Sequence, residues 1–148
     1  MEAQQDFKEL LELLNKHEVE YVVVGGHALA FHGAPRYTGD IDILVHPTEK
    51  NARKIMAVLR DFGFGEVGLS ADDFVKEDRV VQLGRPPVRV DLLTSVSGVT
   101  WPEVDSGAVP GEYAGAPVRY IGRAEFVRNK RALGRNKDLA DIEALGEE

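Results

Sequence analysis

The sequence predicts an α/β (α+β) fold, and three observations carry that expectation. Amphipathic stretches of helical period alternate with short β-branched runs, glycine and proline clusters mark the boundaries between them, and 148 residues suffice to bury one core. The whole chain, 1–148, is read as one domain.

From Asp6 to His17 the residues Phe7, Leu10, Leu11, Leu13 and Leu14 recur at helical spacing, which predicts an amphipathic first helix. Tyr21-Val22-Val23-Val24 follows as a buried strand that stops at Gly25-Gly26. His27 to His32 then predicts a short helix closed by Gly33-Ala34-Pro35, because proline restrains its predecessor and cannot continue the helix. Ile41 to Val45 is a second strand, with Asp40, Asp42 and Leu44 on one face and Ile41, Ile43 and Val45 on the other. Thr48 to Phe62 is a second amphipathic helix, opened by Thr48 as N-cap and ended by Gly63. Val80 to Leu83 and Val88 to Leu93 predict a hairpin across Gly84-Arg85-Pro86-Pro87. Ser95 to Gly115, rich in glycine, proline and serine, reads as a surface excursion with room for a short helical turn, and Val118 to Ile121 as an edge strand. Two helices, Ala124 to Leu133 and Asn136 to Leu145, are broken at Gly134.

Composition narrows the chemistry. Without cysteine there is no disulfide framework, zinc-thiolate site, iron-sulfur cluster or thiol nucleophile. The start of the chain lacks the layout of a secretory signal and no apolar run is long enough to span a bilayer, so a cytoplasmic protein with no membrane partner is expected. A net charge of −7 argues against a general grip on a nucleic-acid backbone. Arg119, Arg123, Arg128, Lys130, Arg131, Arg135 and Lys137 nevertheless crowd the last quarter, either as a wall that holds an anion or as a solvated helix face.

Aspartates two apart on a strand project from one face, separated by roughly 7 Å of backbone at the usual rise. Asp40 and Asp42 therefore flank one ion-sized space, and Asp91, set between Val90 and Leu92, repeats the pattern on a later strand. Oxygen donors with no histidine or cysteine beside them suit Mg²⁺ or Mn²⁺, and two such ions can hold the attacking and leaving oxygens of a phosphoryl displacement. The plainer reading of Asp-x-Asp is an exposed polar strand face. Gly25-Gly26 between a strand and a helix weighs against it, since glycine lets a phosphate approach the backbone closely.

Val24-Gly25-Gly26, Asp40-Ile41-Asp42 and Val90-Asp91-Leu92, in that order, resemble the polymerase-β-like nucleotidyltransferase superfamily, and most of all its small prokaryotic members, among them minimal nucleotidyltransferases and abortive-infection-type toxins. The tail from Lys130 to Leu145 is similar to the lysine, arginine and Lys-Asp pattern near the end of such proteins. Where the superfamily commonly has Gly-Ser, this chain has Gly26-His27. The resemblance implies a nucleotidyltransferase fold, a small mixed sheet with helices mainly on one face. It implies that Asp40 and Asp42 ligate two metal ions and that Asp91 holds the catalytic one and helps deprotonate a hydroxyl. Gly25 and Gly26 would line an NTP triphosphate, with Arg36 and Thr38 as phosphate or acceptor contacts or simply surface-loop residues. Lys130 and Lys137 would neutralise the departing pyrophosphate, the alternative being solvated lysines.

The activity so implied is transfer of an NMP from an NTP to a hydroxyl on protein or RNA, with a cognate antitoxin as the partner of a toxin and a second copy of the chain as the partner of so small a site. A catalytically silent binding module and a metal-dependent phosphoesterase are the competing readings. His27 and His32 are read as packing or pocket-lining residues, and Trp101 as a core or interface aromatic in preference to one that stacks on a base.

Overall fold

The computed structural model describes residues 2–34, 39–63, 68–85 and 88–146. Within them lies one six-stranded mixed sheet with the strand order β3-β4-β2-β1-β6-β5. Its strands are β1 (Tyr21–Val24), β2 (Asp40–Val45), β3 (Val80–Arg85), β4 (Val88–Leu93), β5 (Val109–Tyr113) and β6 (Ala116–Tyr120). The helices are α1 (Glu2–Lys16), α2 (Gly25–Phe31), α3 (Glu49–Asp61), α4 (Trp101–Gly107), α5 (Arg123–Leu133) and α6 (Asn136–Ala144), with a 3-10 turn at Ala71–Phe74. No helix among the described residues is long and apolar enough to cross a membrane.

The predicted elements form for the expected reasons. The stripe of Phe7, Leu10, Leu11 and Leu14 on α1 is buried, and Ile41, Ile43 and Val45 have no solvent exposure. Thr48 caps α3 by accepting a hydrogen bond from the Asn51 N–H. Gly134, in the left-handed region at φ 66°, ends α5. β3 and β4 are the antiparallel pair that the spacing predicts.

Between Ser95 and Gly115 the expectation of a surface excursion is incorrect. Thr100 caps α4 through a capping box with Glu103, and Pro102 occupies the first turn, where a missing N–H costs nothing. β5 then pairs antiparallel with β6 across Ala114-Gly115, both at positive φ, as a two-residue hairpin turn requires. Because β5 takes the outer position, β6 is an inner strand, paired in parallel with β1, and not the edge strand expected. Pro110 sits comfortably on that outer strand, where an N–H is not needed on the open side.

Asn51 ties the start of β1 to the end of β2. Almost fully buried, it accepts from the Glu20 N–H at 2.7 Å and donates to the carbonyls of Glu20 and His46, each at 3.0 Å. This clamp fixes the two central strands at the end opposite the aspartates. Asn51→Ala leaves the Glu20 N–H unpaired and takes one of two hydrogen bonds from each of the Glu20 and His46 carbonyls, and chemical denaturation is expected to show a loss of about 2 kcal/mol; a loss within ~0.5 kcal/mol would mean that water replaces the amide without penalty.

Candidate active site

β2 and β4 run parallel, and their register sets Asp42 directly beside Asp91 and Asp40 beside Arg89. Strand alternation turns all four side chains to the same face. The Asp42 and Asp91 carboxyls lie close enough for Asp91 to act directly on Asp42. Burial pushes the Asp42 carboxyl up to about 6, the neighbouring charges of Asp91 and Asp40 add to the shift, and Lys130 opposes it.

Arg89 bridges the carboxylates. Its Nη2 donates to Asp40 Oδ2 at 2.5 Å and to Asp91 Oδ2 at 3.3 Å, while Nε lies 3.3 Å from Asp91 Oδ1 without the alignment of a hydrogen bond. Asp91 Oδ1 is consequently buried and accepts no hydrogen bond. Arg89 escaped the reading of the sequence, although the period of two that linked Asp40 to Asp42 also links Arg89 to Asp91. Among the described residues no three acidic or histidine side chains already surround one ion-sized point. The donor set itself fits a hard divalent cation: two carboxyls in contact, oxygen ligands throughout, and one buried oxygen left over.

Gly25 makes the closest approach to this pair. It has φ +68°, and a Cβ there would stand 2.2 Å from Asp42 Oδ2, so no other residue fits. Gly26 follows it in the first turn of α2. His27 packs edge-on against Phe7 and Tyr113, with ring centroids 6.0 and 5.3 Å apart; burial lowers its pKa, and a hydrogen bond to the Asp40 backbone opposes the shift. It is a packing residue, as one of the two readings had it.

A cavity of about 900 Å³ opens over Gly25, Asp42 and Asp91, and Lys130 and Arg135 line its other side. Lys130 is 8 % exposed, and its Nζ lies 3.3 Å from Asp138 Oδ1 and 3.3 Å from Asp141 Oδ2, both on buried carboxylates. Arg135 Nε donates to Asp138 Oδ2 at 2.6 Å, and this bond, with help from Lys130, holds the Asp138 carboxyl below its usual range. The ammonium is thereby fixed from behind while it faces the cavity. Lys137, in contrast, is exposed on α6 and does not line the cavity. Arg36 and Thr38 lie outside the described residues.

The family described as nucleotidyltransferase of unknown function (DUF6036) matches residues 2–97, a span that includes Gly25, Asp40, Asp42, Arg89 and Asp91. No curated protein matches the sequence. Among solved structures, a candidate nucleotidyltransferase from Thermotoga maritima is similar at a TM-score of 0.62 and 18% identity, over 93% of this chain and 88% of its own. The antibiotic-resistance factor ANT(2'')-Ia is similar at a TM-score of 0.60 and 12% identity, over 96% and 81%. A second structure of ANT(2'')-Ia, in complex with adenylyl-2''-tobramycin, is similar at a TM-score of 0.51 and 12% identity, over 99% and 98%. At these identities the likeness establishes the fold, a nucleotidyltransferase fold built on a mixed sheet.

The raised pKa of Asp42 has a consequence for stability. The folded state binds a proton more tightly than the unfolded chain, so stability is present below the unfolded value of 3.8 and is lost as pH rises through about 6. Asp42→Asn removes that loss. In metal-free buffer the variant is expected to be more stable than the parent by roughly 1–2 kcal/mol at pH 8 and to gain nothing at pH 4. Equal stability of the two proteins at pH 8 in thermal or urea unfolding would show that the two carboxyls do not repel each other as their contact demands.

Proposed function

The chain belongs to the DUF6036 family of nucleotidyltransferases, and from that premise we propose that it moves a nucleoside monophosphate from an NTP to a hydroxyl acceptor on protein or RNA, releasing pyrophosphate. The observation that carries this reading is the Asp42–Asp91 pair pressed against Gly25 on one side of a cavity whose other side is a fixed cation, Lys130. Carboxylates for a metal, a backbone without a side chain for phosphates and a cation for the leaving group then share one space.

Asp42 and Asp91 would hold Mg²⁺ or Mn²⁺, with Asp40 joining when it leaves Arg89, and the bound ion would supply charge to the phosphate oxygens and acidify the acceptor hydroxyl. Gly25 and Gly26 let the triphosphate lie against the backbone. Asp91, whose Oδ1 has no hydrogen bond, is the group placed to accept the hydroxyl proton. Attack of the acceptor oxygen on the α-phosphorus breaks its bond to the bridging oxygen of pyrophosphate, and Lys130 stabilises the charge that develops there. Arg36 and Thr38 are kept as candidate phosphate contacts from the sequence alone, and Lys137, which lies outside the cavity, gives way to Lys130. A toxin held by a cognate antitoxin, and a dimer, are compatible with this chemistry and are tested separately: induction of the wild-type chain, but not of Asp42→Ala, would arrest growth.

The test is incubation with each labelled NTP, Mg²⁺ and a cell lysate, with tobramycin as a small acceptor for comparison because it carries the adenylyl group in the ANT(2'')-Ia complex. Label is expected on a macromolecular acceptor, Asp42→Ala is expected to abolish it, and Lys130→Met to reduce it about 100-fold. Labelling that survives Asp42→Ala would sink the proposal. Binding of NTP without transfer would favour the silent module, and free phosphate without transfer the phosphoesterase.

A further inference from the structure

The cavity does not end at the carboxylates. On the face of β2 that carries Asp42, Leu44 comes next, and His46 follows just beyond the strand, about 13 Å from Asp42 at the usual rise per residue. Leu44, His46 and Trp101 all line the cavity. Leu93, the register partner of Leu44, and Val80, the partner of Leu93, extend the same apolar floor toward the edge of the sheet. At the mouth Val80 is 56% exposed and Leu133 is 38% exposed, an apolar rim with nothing over it among the described residues.

The far wall is an aromatic pair. The His46 and Trp101 rings are stacked, with centroids 4.9 Å apart and planes within 8°. Both rings are fixed from outside the cavity. Glu20 Oε2 lies 2.9 Å from His46 Nδ1, Asn51 donates to the His46 carbonyl, and the Thr100–Glu103 capping box sets the first residue of α4, which is Trp101. Asn129 of α5 donates to the Ser97 carbonyl at 2.8 Å, and Gly98 packs so close to α5 that a Cβ would stand 2.7 Å from that of Ala132. The loop before α4 is therefore anchored as firmly as the helix.

We propose that this end of the cavity is a nucleobase subsite: the planar base lies over Leu44 and Leu93 against the His46–Trp101 pair, and the phosphates reach back to Gly25 and Lys130. The occupant follows from the layout, in which one continuous cavity is charged and glycine-lined at one end and apolar and aromatic at the other. A nucleotide has that same polarity along its length. Stacking on a ring tolerates any base, so the platform fixes the position of the base more than its identity. This inference rests on the NTP-dependent reading above.

Trp101 is the chain's single tryptophan, so its emission reports on this wall alone. The full-length protein is titrated with each NTP, with the matching nucleosides and with inorganic tripolyphosphate. NTPs and nucleosides are expected to quench Trp101 saturably, and tripolyphosphate to compete with NTP without quenching. Calorimetry should find NTP binding weakened about tenfold in Trp101→Leu, with tripolyphosphate binding unchanged. His46→Ala, which keeps the tryptophan as a reporter of folding, should show the same selective loss. NTP that displaces tripolyphosphate, leaves Trp101 emission unchanged and binds Trp101→Leu as tightly as wild type would overturn the subsite alone and give this end of the cavity to the acceptor. Absence of binding by every NTP would overturn the nucleotidyl-transfer reading and the subsite with it.

Discussion

The parallel register of β2 and β4 forces two carboxyls together, and much of the molecule is arranged around that contact. Asp42 and Asp91 occupy equivalent positions on adjacent strands, so no rotamer separates them by much more than the strand spacing. Left alone, such a pair destabilises the fold at neutral pH. Three neighbours make it tolerable. Arg89 lies on one side, Lys130 acts from the other, and Gly25 keeps its backbone clear of Asp42 where any side chain would collide with it. The strand clamp at Asn51 holds the opposite ends of β1 and β2, so the register cannot slip to relieve the contact.

Legibility in the sequence follows the range of the interaction. Asp40 and Asp42 were legible because their relation is local: a period of two and flanking isoleucines determine the face. Asp91 was legible as a strand aspartate, but its pairing with Asp42 is a matter of strand order, which a crossover of more than forty residues decides. Arg89 was illegible for the same reason, since its value depends on lying across from Asp40. Around Trp101 the failure was of another kind. Thr100, Pro102 and Glu103 spelled out a helix start, and the glycines and prolines on either side outweighed them.

The basic residues near the end show how little a charge count says about a site. Arg119 pairs with Asp105 and Arg128 with Glu103, on exposed surfaces where such pairs contribute little. Lys130 and Lys137 look alike in the sequence, yet one faces the cavity and the other solvent. α5 and α6 carry few apolar residues to set their phase, and burial of Asp138 and Asp141, which no pattern announces, decides that it is Lys130 that turns inward.

A buried ion cluster is poor stabilisation, because removing charges from water costs about as much as pairing them returns. Its retention makes sense through position. Lys130 between two carboxylates cannot swing away, and a cation that cannot move is worth more to a developing phosphate charge than a mobile one. The same reasoning covers the whole site. Asp40, Asp42 and Asp91 stand with Arg89 on the strands, and Asp138 and Asp141 with Lys130 and Arg135 on the helices. Burial raises the Asp42 carboxyl and Arg89 reaches Asp40, so part of the acidic charge on the strands is offset within the site itself.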